Sequence, residues 1–235
     1  MNQTLLRINL PRGVRVYPSA FREALARESD LPPAFFHRKD GKTINARPTI
    51  RTAGTRNWVG LVADGEESRQ LLYQAVEPAM KIVNRLAGAP CFMEIENLNY
   101  HLASRQTPQR YFLREIVIKQ RSKIRRTAPL EDVIKGSILQ SIRDTCAQME
   151  WDCPEDEDLG VIVKEVTHAR GMLLQTTTGV TKESVGLFDA EILIHAELKG
   201  IWFLGNLTSR GYGMLIKPYG GKVLLDKPRE TDVLQ

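Results

Sequence analysis

Long apolar runs, cysteines and aromatic residues are all scarce in this chain of 235 residues, and each shortage excludes a class of protein. No apolar run approaches the roughly 20 residues that cross a bilayer, and the N-terminal stretch Leu5-Leu6-Arg7-Ile8 is too short for a signal peptide. The sequence therefore predicts a cytoplasmic protein that has no membrane partner.

The three cysteines, Cys91, Cys146 and Cys153, are odd in number, and no two are spaced as a zinc knuckle requires. We expect reduced thiols instead of a disulfide framework. No glycine-rich nucleotide motif follows a strand, and the acidic stretch 150–158 lacks the alternating oxygen ligands of a calcium loop. The sequence therefore predicts neither a cofactor nor a metal site.

Positive charge is concentrated in one window of the chain. The net charge is +5, but residues 105–126 hold eight basic residues and one acidic residue, so this window carries +7 and the remainder carries −2. A basic segment on a nearly neutral body is typical of a protein that binds a phosphate backbone, because each cation that meets a phosphate releases counterions. The alternative is a solvated charged surface.

Hydrophobic periodicity predicts a strand and then a helix at the start of the chain, followed by an extended region and one long helix. Two alternating segments then flank a turn-rich stretch at 104–108, which predicts a hairpin, although the second of them could be helical. The predicted ranges in this half are strands at 4–10, 49–63, 92–102 and 111–119, and helices at 20–27 and 66–86.

In the second half, Leu130, Ile134, Ile138 and Ile142 recur every four residues and predict a helix over 130–149. After the acidic linker, strand-like segments predict that the remainder is mainly sheet. They lie at 160–167, 171–177, 185–198 and 200–204. The order of elements favours an α+β pair of small sandwiches over a doubly wound nucleotide-binding fold.

A glycine-bearing basic string, Gly205-Asn206-Leu207-Thr208-Ser209-Arg210-Gly211-Tyr212-Gly213, precedes the last apolar strand. Its glycines, Gly211 and Gly213 among them, let backbone amides approach an anion closely. Arg210 offers a planar donor for phosphate, and Tyr212 offers a ring on which a base could stack. A tight structural turn would explain the same string.

This string resembles the C-terminal glycine-rich loop of the RAMP superfamily of CRISPR-associated proteins. Earlier in the chain, Gly136-Ser137-Ile138-Leu139 with the following Arg143 resembles that superfamily's helix opening, and the two motifs stand in the expected order. The resemblance implies tandem ferredoxin-like (RRM-like) domains. It predicts an N-terminal domain at 1–104, a basic arm and helix at 105–149, and a C-terminal half at 150–235.

Within that superfamily the chain is most similar to the repeat endonuclease of type IV CRISPR systems. This resemblance implies an enzyme that cuts the repeat stem-loop of precursor CRISPR RNA without a metal and stays in a complex with other effector subunits. It also implies a basic, partly helical finger along the hairpin. With the glycine-rich loop, the expected RNA-binding residues are Arg110, Arg114, Lys119, Arg121, Lys123, Arg125 and Arg126.

Metal-free cleavage of RNA requires deprotonation of the 2′-OH, neutralisation of the phosphorane charge and protonation of the leaving 5′-oxygen. His37, beside Arg38, is a candidate base, although a lone surface histidine is the ordinary alternative. The resemblance implies Arg22 and Arg38 in place of an acid–base histidine. Because arginine stays protonated, these two would stabilise the phosphorane charge and position the 2′-OH.

Two other functions remain open from the sequence. A noncatalytic RNA-binding subunit of a CRISPR effector complex would share both motifs. An unrelated RRM-type protein is disfavoured, because no predicted strand carries the closely spaced aromatic residues that stack bases in that module.

Overall fold

The chain folds into two four-stranded antiparallel sheets with helices, an α+β architecture. The structure is a computed structural model, and it describes residues 2–36, 38–39, 42–43, 47–118, 127–175 and 182–218. Within these ranges, no helix is both long enough and apolar enough to cross a membrane.

The first sheet has the strand order β4–β5–β1–β6. Its strands are β1 (Asn2–Asn9), β4 (Ile50–Gly54), β5 (Trp58–Asp64) and β6 (Phe92–Asn99), and a short hairpin, β2 (Arg38–Lys39) with β3 (Lys42–Thr43), stands apart. Three helices pack on one face of this sheet: α1 (Pro18–Glu28), α2 (Gly65–Gln74) and α3 (Val76–Ala87).

The single helix expected over 66–86 is wrong, because α2 and α3 are separate helices that meet at Ala75. Pro78 explains the break. A proline ring clashes with the carbonyl four residues earlier, which is that of Gln74, and proline provides no amide hydrogen for a helical bond. The same ring is tolerated in the first turn of α3.

The second sheet has the order β10–β7–β9–β8 and is built mainly from three long strands. Its strands are β7 (His101–Ile118), β8 (Ile162–Gln175), β9 (Lys182–Lys199) and β10 (Met214–Ile216). The helix α4 (Leu130–Met149) has the predicted bounds and buries Ile134, Ile138 and Ile142 in the core of this domain. A short helix, α5 (Asp156–Leu159), ends the acidic stretch.

Three strand predictions in the second half need correction or refinement. The two predicted segments at 160–167 and 171–177 correspond, as far as the structure describes them, to the single strand β8, which ends at Gln175 and whose register shifts at a bulge between His168 and Arg170. Residues 200–204 make only an isolated bridge, between Phe203 and Met214, instead of a strand. Gly200 has a φ of +82°, which ends β9 just before this segment.

The predicted hairpin between 92–102 and 111–119 is wrong. β6 pairs with β1 in the first sheet, whereas β7 pairs with β9 in the second sheet and continues through the turn-rich stretch. A register shift between Ser104 and Gln109 accommodates that stretch, including Pro108, within the ladder. The domain boundary expected after residue 104 therefore falls inside β7.

Tyr100 is the residue at which the chain crosses from one sheet to the other, and its side chain is fully buried. Arg47 Nη2 donates a hydrogen bond of 2.9 Å to its hydroxyl. Burial lowers the pKa of the Arg47 guanidinium and raises the pKa of the Tyr100 hydroxyl, because both charged forms lose their hydration.

A buried polar network joins the first sheet to the segment that follows β9. Arg51 Nη2 lies 2.5 Å from both carboxylate oxygens of Asp64, and both side chains are at most 1% exposed. Gln3 donates to Asp64 Oδ1 at 2.9 Å and to the carbonyl oxygen of Ile201 at 3.1 Å, while the Ile201 amide donates back to Gln3 Oε1 at 2.8 Å. The Arg51 guanidinium also lies 5.1 Å from the ring centre of Phe203.

We predict that Asp64→Ala lowers the free energy of unfolding by about 3–5 kcal/mol, because it leaves the buried Arg51 charge without a counterion. The matched control is Glu28→Ala, which removes the exposed ion pair with Arg85 and should cost about 0–1 kcal/mol. Urea denaturation of both variants measures the difference. Equal losses would contradict the assigned role of the buried pair.

Candidate functional site

The glycine-rich loop, residues 205–213, has a backbone path that requires glycine at its end. Gly213 has a φ of +71°, and a Cβ placed on it would lie 1.9 Å from the carbonyl oxygen of Leu204. The amide of Leu204 donates to the Gly213 carbonyl at 2.8 Å, and the amide of Gly213 donates to the Arg114 carbonyl at 3.0 Å. The loop is therefore fixed to the second sheet by its own backbone.

The same loop also contacts the first domain. A Cβ on Gly211, whose φ is +87°, would lie 2.8 Å from Pro18 Cβ and 3.0 Å from the Thr52 carbonyl oxygen. Thr52 Oγ1 donates a hydrogen bond of 3.2 Å to the Ser209 carbonyl. The loop therefore sits between the start of α1 and β4, where both domains contribute side chains.

The two side chains of the loop singled out in the sequence point to different environments. Arg210 is exposed, at the end of a 3-10 turn (Thr208–Arg210), and is open to an anion. Tyr212 is 5% exposed and packs with Val117, Val185 and Leu187. The expected base-stacking role of Tyr212 needs correction, because the ring fills a hydrophobic cluster that anchors the loop.

Arg22, one of the three candidate catalytic residues, reaches this loop from α1. The neighbouring Phe21 and Leu25 are buried in the core, which leaves Arg22 half-buried at the edge of the helix. Its Nη2 donates to the Phe36 carbonyl at 2.9 Å, and its guanidinium lies 5.8 Å from the Phe36 ring centre. Arg22, Thr52 and Ser209 line one narrow cavity, so the structure brings this arginine and the glycine-rich loop together.

The other two candidate catalytic residues follow the 3-10 turn Pro33–Phe36. His37 lies outside the described residues. The backbone of Arg38 begins β2 and is paired with Thr43, but its side chain is also outside what the structure describes.

A second cavity lies beside the first turn of α1 and is lined by both Arg15 and Arg114. Pro18, Gly54 and Gly211 line it as well, and the Arg15 guanidinium lies 4.6 Å from the ring centre of Tyr17. Arg114 was expected among the RNA-binding residues, whereas Arg15 was missed. In the sequence, Arg15 stands out only as a basic residue three positions before the start of α1. Its charge adds to the positive potential of the helix N-terminus.

Arg110, also expected to bind RNA, is in an ion pair on the second sheet. Its Nε and Nη2 donate to the Glu191 carboxylate at 2.9 and 2.7 Å, and this hydrogen bonding raises the pKa of Arg110. The neighbouring Arg105 binds Glu197 and lowers the pKa of that carboxyl. A phosphate at Arg110 would therefore have to compete with Glu191.

The rest of the basic window connects β7 to α4. The five residues expected there to bind phosphates, Lys119, Arg121, Lys123, Arg125 and Arg126, lie outside the described residues. Across the part of the chain that is described, no group of three or more His, Cys, Asp or Glu side chains could hold a metal ion.

Comparison with known proteins identifies relatives of the whole chain. The family model for the type IV CRISPR-associated endonuclease Csf5 matches residues 1–220. The solved structure of Csf5, a CRISPR-Cas type IV Cas6 crRNA endonuclease, is similar with a TM-score of 0.83 and 34% identity, covering 93% of this chain and all of that one. A search of curated proteins gave no match.

A Cas6b crystal structure is similar over the same 93% of this chain and all of its own, with a TM-score of 0.65 and 14% identity. A second Cas6b endoribonuclease structure has a TM-score of 0.58 at the same identity. At this identity the likeness shows only the fold, which is the tandem ferredoxin-like arrangement of Cas6 and RAMP proteins. With a family model that spans residues 1–220 and a relative at 34% identity, the chain belongs to the type IV CRISPR-associated Csf5 endonucleases of the Cas6 group.

Proposed function

We propose that this protein binds the repeat stem-loop of precursor CRISPR RNA, cleaves it without a metal ion and keeps the product bound in a complex with other effector subunits. The observation that carries the proposal is that the glycine-rich loop lines two neighbouring cavities, one together with Arg22 and the other together with Arg15 and Arg114. Positively charged side chains on both sides of a loop with closely approaching backbone suit the binding of a scissile phosphate.

The proposed chemistry is attack of the 2′-OH on the adjacent phosphate, which leaves a 2′,3′-cyclic phosphate and a 5′-OH. In this proposal Arg22 offers positive charge to the phosphorane; the hydrogen bond that orients its half-buried guanidinium on the Phe36 carbonyl supports this role. Arginine cannot exchange protons at neutral pH, so proton transfer falls to His37 or to water. Arg38 would supply the second positive charge.

The basic segment should hold the stem through its phosphates, since A-form RNA hides its base edges in a deep groove. Replacing Lys123, Arg125 and Arg126 by alanine should weaken binding and reduce the slope of log K against log salt by about 0.7–0.9 for each phosphate that the variant no longer binds. The control replaces Lys81, Arg27 and Arg85, which are exposed on α1 and α3. Equal salt slopes for both triple variants would remove the segment from the interface.

Arg210 should bind a phosphate of the RNA. We expect Arg210→Ala to reduce the affinity for the repeat hairpin by about 1–3 kcal/mol, the range for a charge-assisted hydrogen bond. Filter binding at fixed salt measures this reduction, and circular dichroism checks the fold. Wild-type affinity in a folded Arg210→Ala protein would make the loop purely structural.

Cleavage should proceed in EDTA, and a 2′-deoxy substitution at the scissile nucleotide should block it while sparing binding. Arg22→Ala should slow single-turnover cleavage by about 10²–10³-fold, as expected for removal of one charge-stabilising donor. Arg27→Ala, on the exposed side of the same helix, is the matched control and should cut at the wild-type rate.

The pH profile separates two versions of the site. A histidine acting as acid or base imposes a titration near its reference pKa of about 6.5, and His37→Ala would then remove this titration. A site that depends on Arg22 and Arg38 shows no titration there. If the wild-type protein binds the hairpin but never cuts it, the result would instead support the alternative function, a noncatalytic RNA-binding subunit.

A further inference from the structure

A groove of about 430 Å³ lies between α4 and the start of the glycine-rich loop, and the proposed cleavage chemistry makes no use of it. The volume is within the range of small-ligand pockets. Its polar lining comes from Asp132, Ser137, Gln140, Ser141 and Asp144 of α4 and from Asn206 of the loop. Among the described residues, no cation lines the groove, which suits it to a neutral, hydrogen-bonding group rather than to a phosphate.

Gly136 opens this groove and has no structural requirement to be glycine. Its φ is not positive, and a Cβ placed on it would meet nothing within 4 Å. Glycine in the middle of a helix is destabilising relative to alanine. Since neither backbone conformation nor packing calls for glycine here, the residue is explained by the room that it leaves for a ligand against the face of α4.

Gln140 and Asp144 present a defined hydrogen-bonding pattern to the groove. Gln140 Nε2 donates to Asp144 Oδ1 at 2.7 Å. This bond joins two exposed side chains one turn apart on α4 and uses the amide donor, so that Gln140 Oε1 and Asp144 Oδ2 remain as acceptors on neighbouring side chains. Two adjacent acceptors complement two adjacent donors. Among the four RNA bases, only guanine offers such a pair, its N1–H and its 2-amino group.

The position of the groove along the chain links it to the RNA. Ala128 lines the groove and comes two residues after the basic window ends. Because only one residue separates Arg126 from Ala128 in the sequence, RNA bound by the end of that window would lie near the groove. We propose that this groove is a guanine-binding pocket, which takes an unpaired guanosine of the repeat RNA through Gln140 and Asp144; this proposal rests on the proposed function.

The test replaces each guanosine of the repeat RNA by inosine, which lacks the 2-amino group, and measures binding to the full chain. At one unpaired position, inosine should weaken wild-type binding at least about fivefold, the lower end of the effect expected for a base-specific hydrogen bond. Gln140→Leu should bind the guanosine and inosine RNAs equally. Gln148→Leu, at an exposed position further along α4, is the matched control and should discriminate as the wild type does.

A second variant acts on the shape of the pocket. Gly136→Leu replaces glycine by a strong helix former, so it should fold at least as well, and its side chain would fill the groove. We expect this variant to lose the difference between guanosine and inosine. Retained discrimination in Gly136→Leu or in Gln140→Leu would overturn the pocket.

The outcomes also separate the pocket from the proposed function. A wild-type protein that binds the hairpin tightly but shows no inosine effect at any position would overturn the pocket and leave RNA processing intact. A wild-type protein that fails to bind the repeat RNA at all would overturn the proposed function and the pocket with it.

Discussion

The buried ion pair between Arg51 and Asp64 is the interaction on which the arrangement of the two domains depends. The cation comes from β4 and the carboxylate from the end of β5, and Gln3 extends the network to the backbone of Ile201 in the second domain. Removing one partner of a buried ion pair is strongly destabilising, because it leaves the other charge buried without compensation. The network therefore fixes the relative position of β4 and the segment that leads into the glycine-rich loop.

The geometry of the proposed site follows from this fixed interface. Thr52 is the next residue after Arg51 and binds the carbonyl of Ser209, so the buried pair and the bond to the loop share one short stretch of β4. Gly211 allows the loop to approach Pro18 at the start of α1, and Arg22 is one turn further along that helix. A chain of direct contacts thus leads from the interface to the proposed catalytic arginine.

Patterns in the sequence predicted the elements whose structure depends on residues close together in the chain. The four-residue spacing of Leu130, Ile134 and Ile138 was enough to define α4, because one apolar face of a helix is set by its own periodicity. The family motifs likewise identified the glycine-rich loop and the tandem ferredoxin-like fold. The family resemblance predicted Arg22 as a site residue, and the structure adds the cavity that Arg22 shares with the loop.

Features that depend on distant parts of the chain were not predictable. The alternating residues on either side of Tyr100 predicted a hairpin, whereas the chain passes there from one sheet to the other. Alternation of polar and apolar residues does not reveal which sheet a strand joins. The partners Arg51 and Asp64 lie on different strands, and nothing local pairs them. Tyr212 turns inward because its cluster partners come from β7 and β9, whereas its neighbours in sequence suggested an exposed loop.

The central claim is that α1 and the glycine-rich loop together form one RNA-binding site. Photo-crosslinking tests this most directly, with a photoreactive amino acid placed at Arg22 in one protein and at Arg210 in another, each bound to the same repeat hairpin. Crosslinks from both positions to the same nucleotide or to its immediate neighbours are the predicted result. Crosslinks to nucleotides far apart along the repeat, or from only one of the two positions, would contradict the account.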